Sequence, residues 1–344
     1  MKDQFDIKKE CIFVSLATYA HDIITQNDTN AFNGEAMYMA NAIDKHFKKP
    51  ITRMNAEKEK WILLVLLSLI WGSSFILIKK SLEHFNPYQV GALRVLISGV
   101  LLSPIALLNI KKFPKSHLKW LIIAALCGNF IPMFLFPIAE TKVSSSIAGI
   151  INSTMPLFVI LVGAAFWKTK TTPRQILGIV ISFFGVILLM NSGHNNNPEH
   201  LFYIGILLFA AFLYAVSVTT VGAKLTHIPA KLLSSFVFFY VLFLPSLLAL
   251  YFSNFFHEFS FTRENMIGLG FVATLSIFGT GLAMMLQYRL MSVSNPLFAS
   301  TVTLLMPIVA VAWGIIDGES FTFLQGIGGA IILGGLIFLR KKKS

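Results

Sequence analysis

Acidic residues are scarce in this chain: 16 Asp and Glu stand against 28 Lys and Arg in 344 residues, a formal net charge of +12. No carboxylate lies near the middle of the apolar runs described below, so the usual membrane-embedded proton relay has no signature in the sequence. Counter-charge for an organic cation is missing too, which turns the reading toward neutral, zwitterionic or anionic small molecules. Cysteine is scarcer still. Cys11 and Cys127 are too few for a disulfide framework, and Cys127 sits in an apolar run where a small buried role is expected. No glycine-rich loop ends in Gly-Lys-Ser/Thr, so ATP drive is not expected. The Gly279–Gly281 stretch lies inside an apolar run and reads as helix flexibility. Asp317, Glu319, Glu264 and His257 form no metal-ligand spacing. Neither catalytic residues, metal nor cofactor is expected, and a membrane lipid-processing enzyme, which needs acids, bases or metal ligands gathered at one face, is the weaker alternative.

Hydrophobicity is what the chain has in abundance. Residues of apolar type make up 55% of it, gathered into runs long enough to cross a bilayer core of roughly 30 Å at about 1.5 Å per helical residue. Ten runs fit: Trp61–Ile78, Tyr88–Leu108, Leu118–Ile138, Ser145–Phe166, Pro173–Met190, Phe202–Val221, Leu232–Phe252, Met266–Leu290, Leu297–Ile316 and Phe323–Leu339. The fold class predicted is an all-α polytopic membrane protein of ten transmembrane helices. If the first helix starts inside, Lys111, Lys112, Lys115, Lys119, Lys168, Lys170, Arg174, Lys224, Lys231, Arg289 and Arg340 to Lys343 fall on one side. Only Lys79, Lys80, Lys142 and Arg263 fall on the other. Positive residues favour the cytoplasmic face, so both termini are predicted inside a cytoplasmic (inner) membrane. The excess charge sets orientation, and no nucleic-acid partner is expected; the partners expected are a small-molecule substrate and the lipid bilayer, with a homodimer left open.

Residues 1–56 differ from the rest. They are polar, and their single short apolar run, Cys11–Ala20, is too short to span; Asp3, Asp6 and Glu10 spoil the basic lead of a signal peptide. Met54 opens the segment MNAEKEKWILLVLL, which reads like a natural start. The lead is expected to be a dispensable cytoplasmic stretch or an upstream extension.

The remainder repeats itself. A shift of 151 residues lays Gly128 on Gly279, Met133 on Met284, Met155 on Met306, Pro156 on Pro307 and Gly163 on Gly314; a shift of 150 lays Gln175, Gly178 and Gly185 on Gln325, Gly328 and Gly335. Residues 57–192 and 200–340 are therefore read as two five-helix units. Five is odd, so the second unit sits inverted relative to the first, and two inverted halves give two nearly equal packings, one open to each side.

The passages WGSSFILIKKSL from Trp71, NPYQVGALRVLISGVLL from Asn86, AETKVSSSIAGIINSTMPLFVILVGAAFW from Ala139 and NPLFASTVTLLMPIVAVAWGIIDGE from Asn295, with the Gln-x-x-Gly-x6-Gly tails at Gln175 and Gln325, resemble the EamA family of the drug/metabolite transporter superfamily. The resemblance implies a bundle of two inverted five-helix repeats moving small metabolites, amino-acid-like among them, through a central cavity, with efflux the expected direction. One departure stands out: the family often has a Gly-Glu pair after the fourth span, as Gly318 and Glu319 follow the ninth, yet Trp167 and Lys168 occupy that place.

Candidate cavity residues come from helical spacing. Gly149, Asn152 and Pro156 lie at i, i+3 and i+7 on one face, as do Ser300, Thr303 and Pro307 in the ninth span. Pro156 and Pro307 are expected to bend their helices beside the pathway, because the carbonyl each frees must find a partner in protein or in a wet cavity. Small residues of this kind also serve close helix packing. Asn129 and Thr280 occupy matching positions, and an amide in hydrocarbon costs several kcal/mol unless hydrogen-bonded, so Asn129 and Asn152 must face inward. Ser74 is a weaker candidate because serines bond back to their own helix, whereas the phenol of Tyr214 seeks a partner. Arg94, inside an apolar span, points into the bundle as an anchor for an anion, snorkels outward, or pairs with Glu140. The substrate-lining set is thus Asn129, Asn152, Thr280, Thr303 and Tyr214, with Ser74 and Arg94 secondary. A passive channel is the third alternative.

Overall fold

The computed structural model describes residues 56–190 and 198–337, all of whose regular elements are helical. The polar lead lies outside the described residues, apart from Ala56. In chain order the helices are α1 (Ala56–Leu82), α2 (Pro87–Leu108), α3 (Leu118–Ala125), α4 (Ile131–Glu140), α5 (Ser145–Asn152), α6 (Met155–Trp167), α7 (Pro173–Met190), α8 (Pro198–Lys224), α9 (Ala230–Ser235), α10 (Phe243–Phe252), α11 (Phe255–Glu258), α12 (Arg263–Ser276), α13 (Ala283–Val293), α14 (Pro296–Ser300), α15 (Val302–Ile316) and α16 (Phe323–Ile337). Among the described residues eight continuous segments are long and apolar enough to cross a membrane: α1, α2, α3 with α4, α5 with α6, α8, α9 with α10, α12 with α13, and α14 with α15. The apolar helices α7 and α16 are shorter. Large side chains such as Leu108, Phe166, Phe252 and Phe323 stand exposed around the bundle, as a lipid-facing surface requires and a water-facing one does not tolerate. The chain is a multi-pass membrane protein.

Helix starts follow local chemistry. Asn86 accepts from the backbone N–H of Tyr88 and Gln89 at 3.1 and 3.0 Å while its own N–H donates to Gln89 Oε1 at 3.1 Å, a capping box ahead of Pro87. The same device opens α7 and α16. Thr172 N–H donates to Gln175 Oε1 and Thr322 N–H to Gln325 Oε1, each at 2.9 Å, with the threonine hydroxyls accepting in return. The glutamines of the two repeated tails are therefore caps. The glycines of those tails serve contact: a Cβ on Gly185 would lie 2.7 Å from the Gly328 carbonyl, and one on Gly335 would lie 2.7 Å from the Gly178 carbonyl. With Ser182 Oγ donating to the Ile332 carbonyl at 3.0 Å, α7 and α16 meet through a reciprocal seam in which each helix offers the other the same surface.

Three spans carry π-helical turns, at Leu126–Phe130, Phe236–Leu242 and Ile277–Leu282. The first and third recur at the 151-residue shift. Such turns disturb the backbone ladder, and neighbouring helices contribute donors beside them: Trp71 Nε1 to the Gly279 carbonyl at 2.9 Å, Ser98 Oγ to the Ser276 carbonyl at 2.9 Å, and Ser217 Oγ to the Ala124 carbonyl at 2.9 Å.

The fourth span breaks at Ser153 and Thr154, immediately before Pro156, whose missing N–H costs nothing in the first turn of α6. Both hydroxyls bond back to carbonyls three residues earlier, at 2.6 and 2.7 Å. The ninth span differs from expectation. Its interruption falls at Thr301, and Pro307 lies inside α15, which runs on through it.

Candidate functional site

A cavity opens at the middle of the bundle, with about 820 Å³ of empty space including the part continuous with solvent. Helices α1, α2, α4, α8 and α13, the π turns at Gly128 and Gly279, and the broken fourth and ninth spans supply its wall. Of the residues singled out by sequence, Ser74, Arg94, Asn152, Tyr214 and Thr303 line it. Asn129 and Thr280 do not; both are fully buried behind the wall.

Arg94 is 5% exposed, so it does not snorkel, and among the described residues no ion pair joins it to Glu140. Its Nε donates to Thr280 Oγ1 at 3.0 Å, and Thr280 in turn donates to the Leu275 carbonyl at 3.3 Å across the π turn. Thr280 is thus a positioning residue for Arg94. Among the described residues the terminal guanidinium nitrogens have no hydrogen-bond partner and are left for the cavity, where Arg94 alone among the lining residues carries a formal charge. A planar fork of donors in a site of low dielectric fits a carboxylate or phosphate.

The other polar groups point the same way. Asn152 offers its amide nitrogen only the Met306 sulfur at 3.8 Å, and its Oδ1 has no partner. Gln287 Oε1 and the Tyr288 hydroxyl on the wall are also unpartnered; behind them Asn129 faces the Tyr288 hydroxyl without meeting hydrogen-bond geometry. Buried polar atoms are ordinarily satisfied, so a cluster of unmade bonds around an opening marks a place where water or a solute completes them. Ser74 and Thr303 bond back to their own helices at 3.0 and 2.8 Å and contribute little beyond shape. Tyr214 stacks on Phe136, ring centroids 5.8 Å apart. Gln287 and Tyr288 were missed by sequence reasoning, although Gln287 lies two turns after Thr280. Five lining side chains are methionines, Met133, Met155, Met284, Met291 and Met306, flexible surfaces that mould to more than one apolar shape. Gly149 faces Ala310, where a Cβ would come within 2.5 Å of the alanine Cβ, so its smallness serves packing.

The two sides of the bundle are tied differently. After α15, Gly318 takes a left-handed φ of 80° and turns the chain back so that Glu319 lies over Gly314. There the carboxylate caps α5: Oε1 accepts from Ser145 N–H and Oγ at 3.0 and 2.8 Å, and Oε2 from Ser146 N–H and Oγ at 3.1 and 2.7 Å. Lys79 Nζ joins Glu319 at 3.1 Å and Asp317 at 2.7 Å, and Lys80 Nζ reaches Asp317 at 2.8 Å. Burial works to raise the Glu319 carboxyl, but the bonds from Ser146, Ser145 and Lys79 outweigh it and hold the group below the ordinary range; Lys79 and Lys80 do the same for Asp317. On the opposite side, Trp167 and Trp120 meet at 5.8 Å with Lys224 Nζ over both rings at 5.6 and 5.7 Å. An acid-base clasp thus ties α1, α5 and the end of α15 together on one side of the bundle, and an aromatic-cation cluster stands on the other.

A bundle of apolar helices around a central cavity has the build of a membrane transporter. The model of the EamA-like transporter family matches residues 59–191 and again 201–341. The chain belongs to the EamA-like transporter family. It is a transmembrane transporter rather than an enzyme. An uncharacterized transporter of Archaeoglobus fulgidus is 25% identical over 293 residues, covering 83% of this chain and 100% of that one. The uncharacterized inner membrane transporter YedA of Escherichia coli K12 is 28% identical, covering 80% and 89%. A probable amino-acid metabolite efflux pump of Salmonella typhimurium is 26% identical, covering 80% and 92%. One solved crystal structure matches with a TM-score of 0.58 at 16% identity over 82% of this chain and 96% of the other, a likeness of fold alone.

Proposed function

We propose that this EamA-like transporter exports small amino-acid-like metabolites, zwitterionic or anionic, from a cytoplasmic membrane by alternating access about the central cavity. The observation that carries the substrate class is Arg94: buried, held by Thr280, with its free donors turned to a cavity among whose described lining residues it alone carries a formal charge. A carboxylate or phosphate balances it, while an organic cation meets like charge and no counter-ion. Asn152, Gln287 and Tyr288 complete the polar contacts, and the methionines take the side chain of the solute. The direction is supported by the efflux relative, the membrane by YedA, and both cytoplasmic termini by the skew of lysine and arginine.

The architecture behind this reading is ten spans in two inverted five-helix repeats, residues 57–192 and 200–340, with α7 and α16 as the fifth and tenth. The recurrence of capping boxes and π turns at shifts of 150 and 151, and the reciprocal seam of α7 with α16, support it. With the first helix starting inside, the Glu319 clasp lies on the outer face, and the geometry described is the one closed there.

Counterflow in proteoliposomes tests the function. Neutral and acidic amino acids inside are expected to accelerate uptake of a labelled one, and their carboxamide analogues to fail. Flux that neither saturates nor responds to exchange would mark a channel and overturn the proposal.

A further inference from the structure

Glu140 ends α4 and has no place in the cavity chemistry described above. The residue is 8% exposed, and neither carboxyl oxygen has a hydrogen-bond partner among the described residues. Among the described residues no basic group reaches it as an ion pair. Glu319 shows what an ionised carboxylate collects in this protein, and Glu140 has none of it. The end of α4 adds to the disparity, because the last carbonyls of a helix turn partial negative charge toward that position.

The surroundings place this carboxyl between two working parts. Arg94 on α2, with Tyr214 of α8 beside it, acts on it from the cavity side, and Lys79 on α1 and Glu319 act on it from the clasp side. Helix α5 brings the N–H groups and hydroxyls of Ser145 and Ser146, already taken by Glu319. Beyond the helix end, Lys142 is paired with Glu199 at 3.1 Å. The ligand that binds carboxyl oxygens with no accessible surface is a proton.

We propose that Glu140 is a proton-binding site tied to the Glu319 clasp: its carboxyl holds a proton while the clasp is closed and releases it to the solution on that side when the clasp opens. On opening, the O–H bond breaks, the proton passes to water, and the carboxylate gains Lys79, freed from Asp317 and Glu319, as counter-ion. Closing reverses each step. This rests on the alternating-access reading, since a face that never opens never releases the proton. Because closing takes up one proton, acidifying the clasp side favours the closed form, by at most about tenfold per pH unit.

The test uses the full chain in proteoliposomes, with Cys11→Ser and Cys127→Ser, and Ile78→Cys as a reporter on the cavity wall next to Lys79. A membrane-impermeant thiol reagent is applied from the clasp side between pH 8 and 6, its rate normalised to Glu264→Cys, an exposed site, to remove the reagent's own pH dependence. The normalised rate is expected to fall with pH in the parent, to be slow and level in E140Q, and to keep a slope with a displaced midpoint in E140D. Gln copies the neutral acid in shape, so it is expected to fold; if it does not, E140D decides. An E140Q slope equal to the parent's, or an E140D midpoint that does not move, overturns the proton site while leaving alternating access standing. No labelling from either face at any pH overturns both.

Discussion

Replacing Glu319 by glutamine should open the clasp without touching the cavity. The carboxylate accepts four hydrogen bonds from α5 and one contact from Lys79. Glutamine keeps one oxygen able to serve a serine pair, but its NH2 group then faces two donors that lose their acceptor. Leaving buried donors unmade costs about 1–3 kcal/mol, and loss of the partly exposed lysine pair adds on the order of 0.5–1 kcal/mol. The closed form should therefore lose about 2–4 kcal/mol against the open one, a shift of about 30- to 1,000-fold in their ratio. The Ile78→Cys reporter reads this directly: from the clasp side its labelling rate should rise at least about tenfold in E319Q, with no change at Glu264→Cys. An unchanged rate in a well-folded E319Q protein would show that the contact only ornaments a face closed by other packing, and the argument would fail. The acidic limit follows from the sign of the shifts. Both Glu319 and Asp317 are held below their ordinary range, so their contribution is complete above that range, roughly pH 4, and is lost only as pH falls through the lowered values. Around neutrality the clasp should be indifferent to pH in E140Q protein.

Arg94→Lys should cost at least about tenfold in transport of carboxylates, since a point charge replaces a fork and loses its hold on Thr280; Thr280→Val should raise the half-saturating concentration while leaving expression intact, both read by uptake kinetics. Asn152→Ala combined with Thr303→Ala should change transport kinetics in folded protein, and unaltered kinetics would remove both from the lining. Gly185→Ala pushes a methyl against the Gly328 carbonyl, an obstacle of backbone, and should cost about 1–3 kcal/mol, seen as a lower melting temperature in detergent; Gly205→Ala, with open space around it, is the matched control.

The helical, multi-pass class could be read from residues alone, because apolar length matched to a bilayer is a one-dimensional signal. The site was less legible, for a geometric reason. Asn129 and Thr280 sit in π turns, where an extra residue per turn rotates everything that follows, so a face projected at regular helical spacing drifts away from the one the protein presents. That rotation sends Thr280 behind the wall, where it steadies Arg94, and leaves Gln287 and Tyr288 facing the opening. The clasp was half visible: Gly318 and Glu319 were noticed as a pair, but their partners Ser145, Ser146 and Lys79 lie more than 170 residues away in sequence, and no local pattern joins them. Glu140 enters the sequence reading only as a partner offered to Arg94, whereas its unpartnered oxygens, which only the packing reveals, are what set it apart.

The seam between α7 and α16 has a consequence for how such a chain arises and assembles. Its contacts pair Gly185 with Gly328 and Gly335 with Gly178, so a cut in the chain between the two helices leaves both faces of the seam whole. Two fragments divided between α7 and α8 and made in one cell should therefore still meet through this seam and yield a working pair.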